Sequence, residues 1–339
     1  MRGMMSGFYL YTRGMDANQP QHAGAGGVID YSHGISVVDS VYDRTLQTAI
    51  HIVIEGGRAA IVDTGTSHAA PRVLAALAAK GISPRQVDYV VLTHIHLDHA
   101  GGAGQLMALC PDARLTVHPR GVRHMADPSR LIEGTVAIYG AETTRRIYGD
   151  ILPVPQQRIL ETPEGAAVSL AGRQFTFIDA PGHARHHVVV RDEASGHLFG
   201  GDSFGLSYRE LDREGRQFVF PTCSPVQFDA AALHRTVDRM LALSPRAIYV
   251  AHYGQVRGVE RLGADLHRLI EALVGVAQQT DGAGGTRLER IKQGIVRLLL
   301  AERELQGWTL SAEALLDLFA LDIELNAQGL EVWLEAQRA

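Results

Sequence analysis

The stretch Thr93-His94-Ile95-His96-Leu97-Asp98-His99-Ala100-Gly101-Gly102 carries four metal-ligating side chains within six positions. It comes directly after the apolar run Tyr89-Val90-Val91-Leu92, which is typical of a β-strand. The end of a strand is rigid and the following glycines allow a tight turn, as a preorganised metal site requires. Imidazole suits zinc, iron, nickel or copper, and a nearby carboxylate allows a second ion. The stretch therefore predicts a metal site at the end of a strand.

The composition limits the class of protein. The chain has 339 residues, 46% of them apolar, and a net charge of −5, which suits one large domain with an appendage, or two domains. No block of Lys and Arg stands out, so we expect no nucleic-acid partner. The two cysteines, Cys110 and Cys223, are too few for a disulfide framework. Because Met1–Leu10 lacks the apolar core of a secretion signal and no run approaches the roughly 20 apolar residues of a membrane span, we expect a cytoplasmic protein with no membrane partner.

The order of strand-like and helix-like segments predicts two sheets covered by helices. Helices are expected over 70–80, 104–109 and 230–243. Strands are expected near 8–11, 35–38, 49–54, 59–62, 89–92, 114–117, 167–170, 174–178, 188–191, 198–199 and 247–250. The order of strands, a helix and further strands occurs twice along the chain, which indicates the α/β class.

Two regions depart from this pattern. Residues 119–158 contain helical stretches and few strand signals, which indicates an insertion beside the predicted site. From residue 258 onward the pattern is helical, over Val259–Gln279, Leu288–Leu305 and Ser311–Ala336, with a break at Asp281–Gly285. We therefore expect a first domain over 1–257 and a C-terminal helical appendage over 258–339.

The appendage has two uses that the sequence leaves open. Its helices either shape the pocket beside the metal site or form a homodimer contact. The second use is suggested because these helices carry more apolar residues than one buried helix face can cover. The residues are Leu298, Leu299, Leu300, Trp308 and Leu315.

Three more metal-ligating residues follow strand-like runs. His183 ends Phe177-Ile178-Asp179-Ala180-Pro181-Gly182-His183, Asp202 follows Leu198-Phe199-Gly200-Gly201, and His252 follows Ile248-Tyr249-Val250-Ala251. Each signal is weak alone. Their shared context, a strand, then small residues, then a ligand, predicts that all three point at one edge of the sheets.

With these residues in place, the chain resembles the metallo-β-lactamase-fold superfamily over roughly residues 30–257. The H-x-H-x-D-H motif of that family matches His94, His96, Asp98 and His99. Its third His matches His183, its bridging Asp matches Asp202, and its last His matches His252. The resemblance implies an αββα sandwich with a metal site at one sheet edge, so that residues 1–257 would be a catalytic domain.

The resemblance also implies two divalent metal ions, with zinc favoured and iron or manganese as alternatives. His94, His96 and His183 would hold the first ion, Asp98, His99 and His252 the second, and Asp202 would bridge them. Three neutral His ligands leave an open position on a tetrahedral ion, as hydrolytic zinc requires.

Other residues near these ligands have less specific signals. Asp63, in Val62-Asp63-Thr64-Gly65, matches a residue of the family that lies behind the ligands and would orient a ligand His. A turn-forming Asp bonded to the backbone is an equal alternative. His187 is expected either to support the site or to be purely structural. His118 and His124 either line the pocket or, as the sequence favours, lie in solvated loops.

The activity implied by the resemblance is that of a binuclear metal-dependent hydrolase. A metal-bridging hydroxide would attack an ester, lactone or thioester in a small-molecule substrate, and Asp98 would act as a catalytic residue by moving a proton to the leaving group. The C-terminal helices follow the metal domain in the same order as in glyoxalase II, although no basic cluster marks a glutathione site.

Three alternatives on the same fold remain open. A mononuclear iron dioxygenase acting on persulfides would use His94, His183 and Asp202. A diiron oxygen-reducing protein is disfavoured because those proteins carry Glu where His96 stands. A non-catalytic regulator is disfavoured by the complete ligand set.

Overall fold

The computed structural model describes residues 27–42, 44–223, 227–280 and 284–338. The strand predicted at 8–11 and the first three residues of the break at Asp281–Gly285 lie outside these ranges. No helix among the described residues has the length and apolar character needed to cross a bilayer.

The first sheet has seven strands that lie side by side in chain order. They are β1 (Val28–Asp30), β2 (Ile35–Asp39), β3 (Ala49–Glu55), β4 (Arg58–Val62), β5 (Val87–Val91), β6 (Arg114–Val117) and β7 (Ile159–Glu161). Pairing is antiparallel from β1 to β4 and parallel from β4 to β7. The strands predicted over 49–54 and 59–62 are β3 and β4, which form a hairpin with the tight turn Gly56-Gly57.

The second sheet has six strands in the spatial order β13-β12-β11-β10-β9-β8. They are β8 (Ala167–Leu170), β9 (Arg173–Asp179), β10 (Val188–Asp192), β11 (His197–Gly201), β12 (Ile248–Val250) and β13 (Gly254–Val256). Only the β11–β12 pair is parallel, and the chain between these strands forms a helix that covers the sheet. Parallel neighbours end at the same sheet edge, which places the residues after β11 and β12 together.

The inner faces of the two sheets pack together and helices pack on their outer faces, which gives four layers. In β3, Ile52 packs with the helices outside the first sheet, whereas the next residue, Val53, packs between the two sheets with Phe177 and Phe199. Successive residues of a strand face opposite sides, so a strand covered on both sides is apolar throughout. The helices of the outer layers beside the two sheets are α1 (Ala70–Ala79), α2 (Leu97–Ala100), α3 (Ala103–Leu109) and α7 (Ala230–Ala242).

The insertion predicted over 119–158 lies between β6 and β7 and is helical. It contains α4 (Val122–Ala126), α5 (Ser129–Tyr139) and α6 (Ala141–Tyr148).

The C-terminal helices are α8 (Val259–Gln278), α9 (Arg287–Gln306), α10 (Ala312–Leu318) and α11 (Ala320–Ala336). The single helix predicted over Ser311–Ala336 is interrupted at Phe319, whose fully buried ring packs against Phe220 and Tyr208. These helices share one apolar core with the outer face of the second sheet.

Four of the five apolar positions that suggested a homodimer are accounted for within this core, and the fifth, Leu300, is half-buried outside it. Leu299, Trp308 and Leu315 are buried in it, and Leu298 packs against it. A homodimer, and the division of the chain at residue 258, stay predictions.

Candidate metal centre

The H-x-H-x-D-H stretch lies between β5 and α3, where the chain changes from extended to helical. The backbone of His96 is extended, with φ −64° and ψ 145°, and the short helix α2 begins at the next residue. His94 and His96 therefore project from the extended segment, while Asp98 and His99 project from the first turn of α2. The change in backbone conformation brings four side chains that are close in sequence to one edge of the first sheet.

The second sheet supplies the remaining three side chains at its facing edge. His183 lies in the loop after β9, Asp202 follows β11 directly, and His252 follows β12 by two positions. The structure thus brings together all seven residues that the sequence singled out as ligands.

The carboxylate of Asp202 is at the centre of this arrangement. Its Oδ2 atom lies 3.4 Å from Nε2 of His183, 3.5 Å from Nε2 of His252, 3.7 Å from Nε2 of His99 and 3.9 Å from Nε2 of His94. One carboxylate oxygen is therefore within 4 Å of four imidazole nitrogens contributed by both sheets.

The seven side chains form two groups, in each of which the ligand atoms lie within 4.8 Å of one another. The first group is His94, His96, His183 and Asp202, and the second is Asp98, His99 and His252. Within the first, Nε2 of His183 is 3.1 Å from Nδ1 of His96. Within the second, Oδ2 of Asp98 is 3.0 Å from Nε2 of His99 and 3.9 Å from Nε2 of His252.

The hydrogen bonding inside the site indicates that these side chains suit divalent cations. Nε2 of His94, Nδ1 of His99 and Oδ1 of Asp202 are buried and have no hydrogen-bond partner among the described residues. A buried polar atom without a partner costs about 1–3 kcal/mol. Several such atoms around one carboxylate are what a site for bound cations requires, because the cations would satisfy their lone pairs.

The protonation states favour the same conclusion. Burial, together with neighbouring imidazoles, lowers the pKa of His94 well below its ordinary value and that of His96 to about 3. Both rings are therefore neutral and keep a lone pair free for a metal. Burial opposes the charge on His99, but Asp98 and Asp202 outweigh it and raise the pKa of that ring to about 10. The carboxylates of Asp98 and Asp202 thus favour a positive charge beside His99.

Hydrogen bonds behind the ligands fix two of the imidazole tautomers. Nδ1 of His183 lies 3.2 Å from the backbone oxygen of Thr222 and 2.9 Å from its hydroxyl, and Nδ1 of His252 contacts the backbone oxygen of Gln47. A carbonyl oxygen only accepts, so each Nδ1 carries the proton. Each Nε2 is then left as a lone-pair donor toward Asp202.

The backbone of Asp202 is also held in place. Its N–H donates to Nε2 of His187 at 3.1 Å, and Nδ1 of His187 is 3.2 Å from the hydroxyl of Ser203. His187 is fully buried. It supports the backbone of Asp202, the predicted bridging residue, in line with one of the roles expected from the sequence.

Asp63 is buried behind β5 and contacts Thr93. Its carboxylate accepts hydrogen bonds from the backbone N–H of Thr93 at 2.8 Å and from the hydroxyl at 2.9 and 3.1 Å. The same hydroxyl lies 3.1 Å from Nδ1 of His94. Two roles were considered for Asp63. Its bonding to the backbone is seen directly, whereas it reaches the predicted ligand His94 through the hydroxyl of Thr93.

Other histidines surround the site without joining it. The ring of His186 stacks parallel to that of His94 with 6.3 Å between centroids, and Nε2 of His118 lies 3.1 Å from Oδ1 of Asp179. His124 lies in α4, where its Nε2 accepts from Arg123 at 3.2 Å. The expectation of solvated loops was wrong for both residues, because His118 is buried and His124 is half-buried in a helix.

Sequence reasoning missed several residues at the site. Thr222 and Gln47 act through backbone oxygens, which no sequence pattern marks. The hydroxyl of Tyr42 lies 3.3 Å from that of Tyr148 in α6. Burial and then the charge of Asp98 raise the pKa of Tyr148, and Asp98 also contributes to the raised pKa of Tyr42. The insertion therefore contributes a phenol close to the predicted ligands, as a pocket-shaping segment would.

Comparison with known proteins gives a family match. A family model described as the metallo-beta-lactamase superfamily matches residues 43–252. A metallo-beta-lactamase fold-containing protein of Sulfurisphaera tokodaii is 28% identical over 179 residues, covering 50% of this chain and 62% of that protein. A hydroxyacylglutathione hydrolase of Stenotrophomonas maltophilia is 32% identical over 152 residues, covering 45% of this chain and 44% of the hydrolase. The chain thus spans less than two thirds of the length of these curated relatives.

Solved structures share the fold at low identity. A metallo-beta-lactamase family protein from Thermus thermophilus has a TM-score of 0.61 at 21% identity, covering 90% of this chain and 94% of that one. A beta-lactamase domain protein from Burkholderia ambifaria has a TM-score of 0.60 at 20% identity, covering 93% and 90%. Together with the four layers described above, these likenesses confirm the predicted αββα sandwich with its C-terminal helical region.

Proposed function

The chain belongs to the metallo-beta-lactamase superfamily, and from this premise we propose that it is a metal-dependent hydrolase with a two-ion centre. The observation that carries the proposal is the convergence of four imidazole Nε2 atoms on Oδ2 of Asp202, with buried lone pairs left unpartnered around it. His94, His96 and His183 would hold one ion, Asp98, His99 and His252 the other, with Asp202 between them. The identity of the ions is part of the proposal, with zinc favoured by the histidine-rich donor set.

The chemistry supplied by bound divalent ions is the activation of water at neutral pH and the polarisation of a carbonyl oxygen. The chain's own residues divide the remaining tasks. The Asp98 side chain is 24% exposed, whereas that of Asp202 is 5% exposed. Asp98 is therefore the carboxylate with access to an incoming water or substrate, and it is placed to accept a proton and pass it to a leaving group.

The substrate class we propose is a small-molecule ester, lactone or thioester. Thioesters stand first because several curated relatives at about 30% identity are hydroxyacylglutathione hydrolases. The alignments with those relatives cover about half of each chain, so the thioester assignment belongs to the proposal.

A second candidate activity is an iron-dependent persulfide dioxygenase. It is favoured by the grouping of His94, His183 and Asp202, a set of two His and one carboxylate. The convergence of Asp98, His99 and His252 beside that set favours the hydrolase, because a mononuclear site does not need them.

The test pairs metal analysis of the purified protein with turnover on ester, lactone and thioester panels. Zinc with hydrolysis is expected, and iron with oxygen uptake on a persulfide would reverse the ranking. Asp202→Ala is expected to abolish metal-dependent hydrolysis. The matched control is Asp112→Ala, at an exposed carboxylate that pairs with Arg85. Hydrolysis retained in Asp202→Ala at the level of Asp112→Ala would contradict the proposal, as would absence of turnover over the whole panel.

A further inference from the structure

The C-terminal helix α11 reaches the loop that supports a proposed metal ligand. Asn326 lies on this helix and is only 3% exposed. Its Oδ1 accepts a hydrogen bond from the backbone N–H of Cys223 at 2.5 Å, and its Nδ2 donates to the backbone oxygen of Pro221 at 3.1 Å. One amide side chain therefore satisfies two backbone groups on either side of Thr222.

Thr222, held between these two bonds, contacts the site. Its backbone oxygen and hydroxyl both lie within 3.2 Å of Nδ1 of His183, and its hydroxyl donates to the backbone oxygen of Asp202 at 3.2 Å. Since the hydroxyl proton goes to Asp202, the hydroxyl oxygen accepts from Nδ1 of His183. Thr222 thus fixes both the orientation and the tautomer of the His183 ring.

A second contact from the same face of α11 braces the other side of the site. Asp322 precedes Asn326 by one helical turn, and its Oδ2 accepts from the hydroxyl of Tyr208 at 2.6 Å. The Tyr208 ring packs against Tyr253, with 4.5 Å between centroids, directly after His252. The face of α11 formed by Asp322 and Asn326 is therefore polar and directed at the loops behind two predicted ligands, with Asn326 buried and Asp322 half-buried.

We propose that Asn326 is a positioning residue that holds the Pro221–Cys223 loop, and through Thr222 the ring of His183, in the orientation required for metal binding. The inference rests on the proposed metal centre. It assigns the C-terminal helical region a role in the affinity of the site. The region then acts on the metal through the path Asn326, Thr222, His183, without contributing a ligand.

The test measures metal affinity directly. Apo-protein is titrated with zinc in competition with a chromophoric chelator, and cobalt(II) absorption spectra report the coordination environment. Removing a residue behind a metal ligand typically costs 10–100-fold in affinity. For Asn326→Ala we therefore expect the dissociation constant of one ion per chain to rise about 10-fold or more, with the second ion less affected and an altered cobalt spectrum.

The matched control is Gln328→Ala on the same helix. Gln328 also uses its amide, but it donates to Glu324 at 2.6 Å along the helix surface and not to the loop. We expect Gln328→Ala to keep the wild-type zinc affinity. A zinc affinity for Asn326→Ala equal to that of Gln328→Ala would overturn the inference.

A second variant separates positioning from loss of fold. Thr222→Val removes the hydroxyl but keeps the backbone and the size of the side chain, and we expect weaker zinc binding than in Thr222→Ser, which keeps the hydroxyl. Both residues act on one ring. The loss of zinc affinity in the double variant Thr222→Val/Asn326→Ala should therefore be smaller than the sum of the losses in the two single variants. Additive losses would show that Asn326 acts independently of Thr222 and would overturn the path. If the wild-type protein bound no metal, the proposed function would fail together with the inference.

Discussion

The carboxylate of Asp63 accepts the backbone N–H of Thr93 at 2.8 Å, one residue before the first histidine of the proposed centre. Asp63 has a positive φ of 58° and is almost fully buried, so both its backbone and its side chain are fixed. The bond joins the end of β4 to the end of β5. It holds the start of the H-x-H-x-D-H stretch in register with the sheet.

Asp63→Ala is expected to lower both stability and metal affinity. The variant leaves the buried Thr93 N–H without its acceptor, and an orphaned buried donor costs about 1–3 kcal/mol. Chemical denaturation measures this loss, and zinc competition measures the loss of affinity from a His94 backbone that is no longer held. Asp112→Ala, at a surface carboxylate, is the control and should change neither. Unchanged stability and zinc affinity in Asp63→Ala would show that the Asp63–Thr93 bond has no organising role.

Gly201 provides a second test of how the backbone places Asp202. Its φ is +52° and its ψ −136°, and a Cβ at this position would lie 2.4 Å from Nε2 of His187 and 2.9 Å from Cβ of Thr93. Gly201→Ala is therefore expected to displace His187 and the adjacent Asp202, with loss of at least one bound ion in metal analysis.

Gly196→Ala is the control for Gly201→Ala. Gly196 also has a positive φ, +68°, but a Cβ there would meet nothing within 4 Å. We expect this variant to lose about 1 kcal/mol from backbone strain and to keep its metal. Equal metal content in the two variants would mean that close packing at Gly201 does not position Asp202.

Removal of metal by a chelator is expected to lower the melting temperature. Ions that bind only the folded protein stabilise it by about 2.7 kcal/mol at a free concentration 100 times the dissociation constant. Without them, the buried atoms of His94, His99 and Asp202 again lack partners. In Asp202→Ala the melting temperature should respond less to the chelator. A wild-type melting temperature that is the same with and without chelator would contradict metal binding in the folded state.

The elements that the sequence predicts well are those with a regular apolar pattern over four or more residues. The strand expected over 114–117 is β6, the strand expected over 167–170 is β8, and the helix expected over 230–243 is α7 to within one residue. The three-residue strands β1, β7 and β13 were not predicted. A strand of three residues has too few positions for a periodic apolar pattern, so it is defined by its pairing with a neighbouring strand.

At the candidate site, too, some residues could be predicted from the sequence and others depend on their partners in space. His183, Asp202 and His252 follow strands, and strand ends at one sheet edge meet in space whatever the loops between them do. Thr222 and Asn326 are visible only in three dimensions, because Thr222 reaches His183 from a loop without a sequence motif and Asn326 lies 104 positions along the chain from Thr222. The break at Phe319 likewise depends on the partners of its ring.

His51 is a buried histidine apart from the proposed centre. It lies on β3 and its side chain packs edge-on against Tyr249 and Phe199, with centroids 5.1 and 5.7 Å away. The residue is only 2% exposed, and its Nε2 has no hydrogen-bond partner in the described part of the chain. Burial lowers the pKa of His51 to about 3. The ring is therefore neutral in the folded protein over the range in which an unfolded histidine gains a proton.

The consequence is a loss of stability in acid that His51→Leu should reduce. With its folded pKa near 3 and its unfolded pKa near 6.5, His51 contributes no penalty above pH 6.5. As the pH falls toward 3, the unfolded chain alone binds this proton, so the folded state loses about 2–3 kcal/mol by pH 4.5. Urea unfolding at pH 7.5 and pH 4.5, with chelator present throughout, measures the loss. Leucine has a similar size and does not titrate, so the difference between the two pH values should shrink by that amount. An equal loss in wild type and His51→Leu would mean that His51 is protonated in the folded protein, and that the layer between the sheets admits a charge.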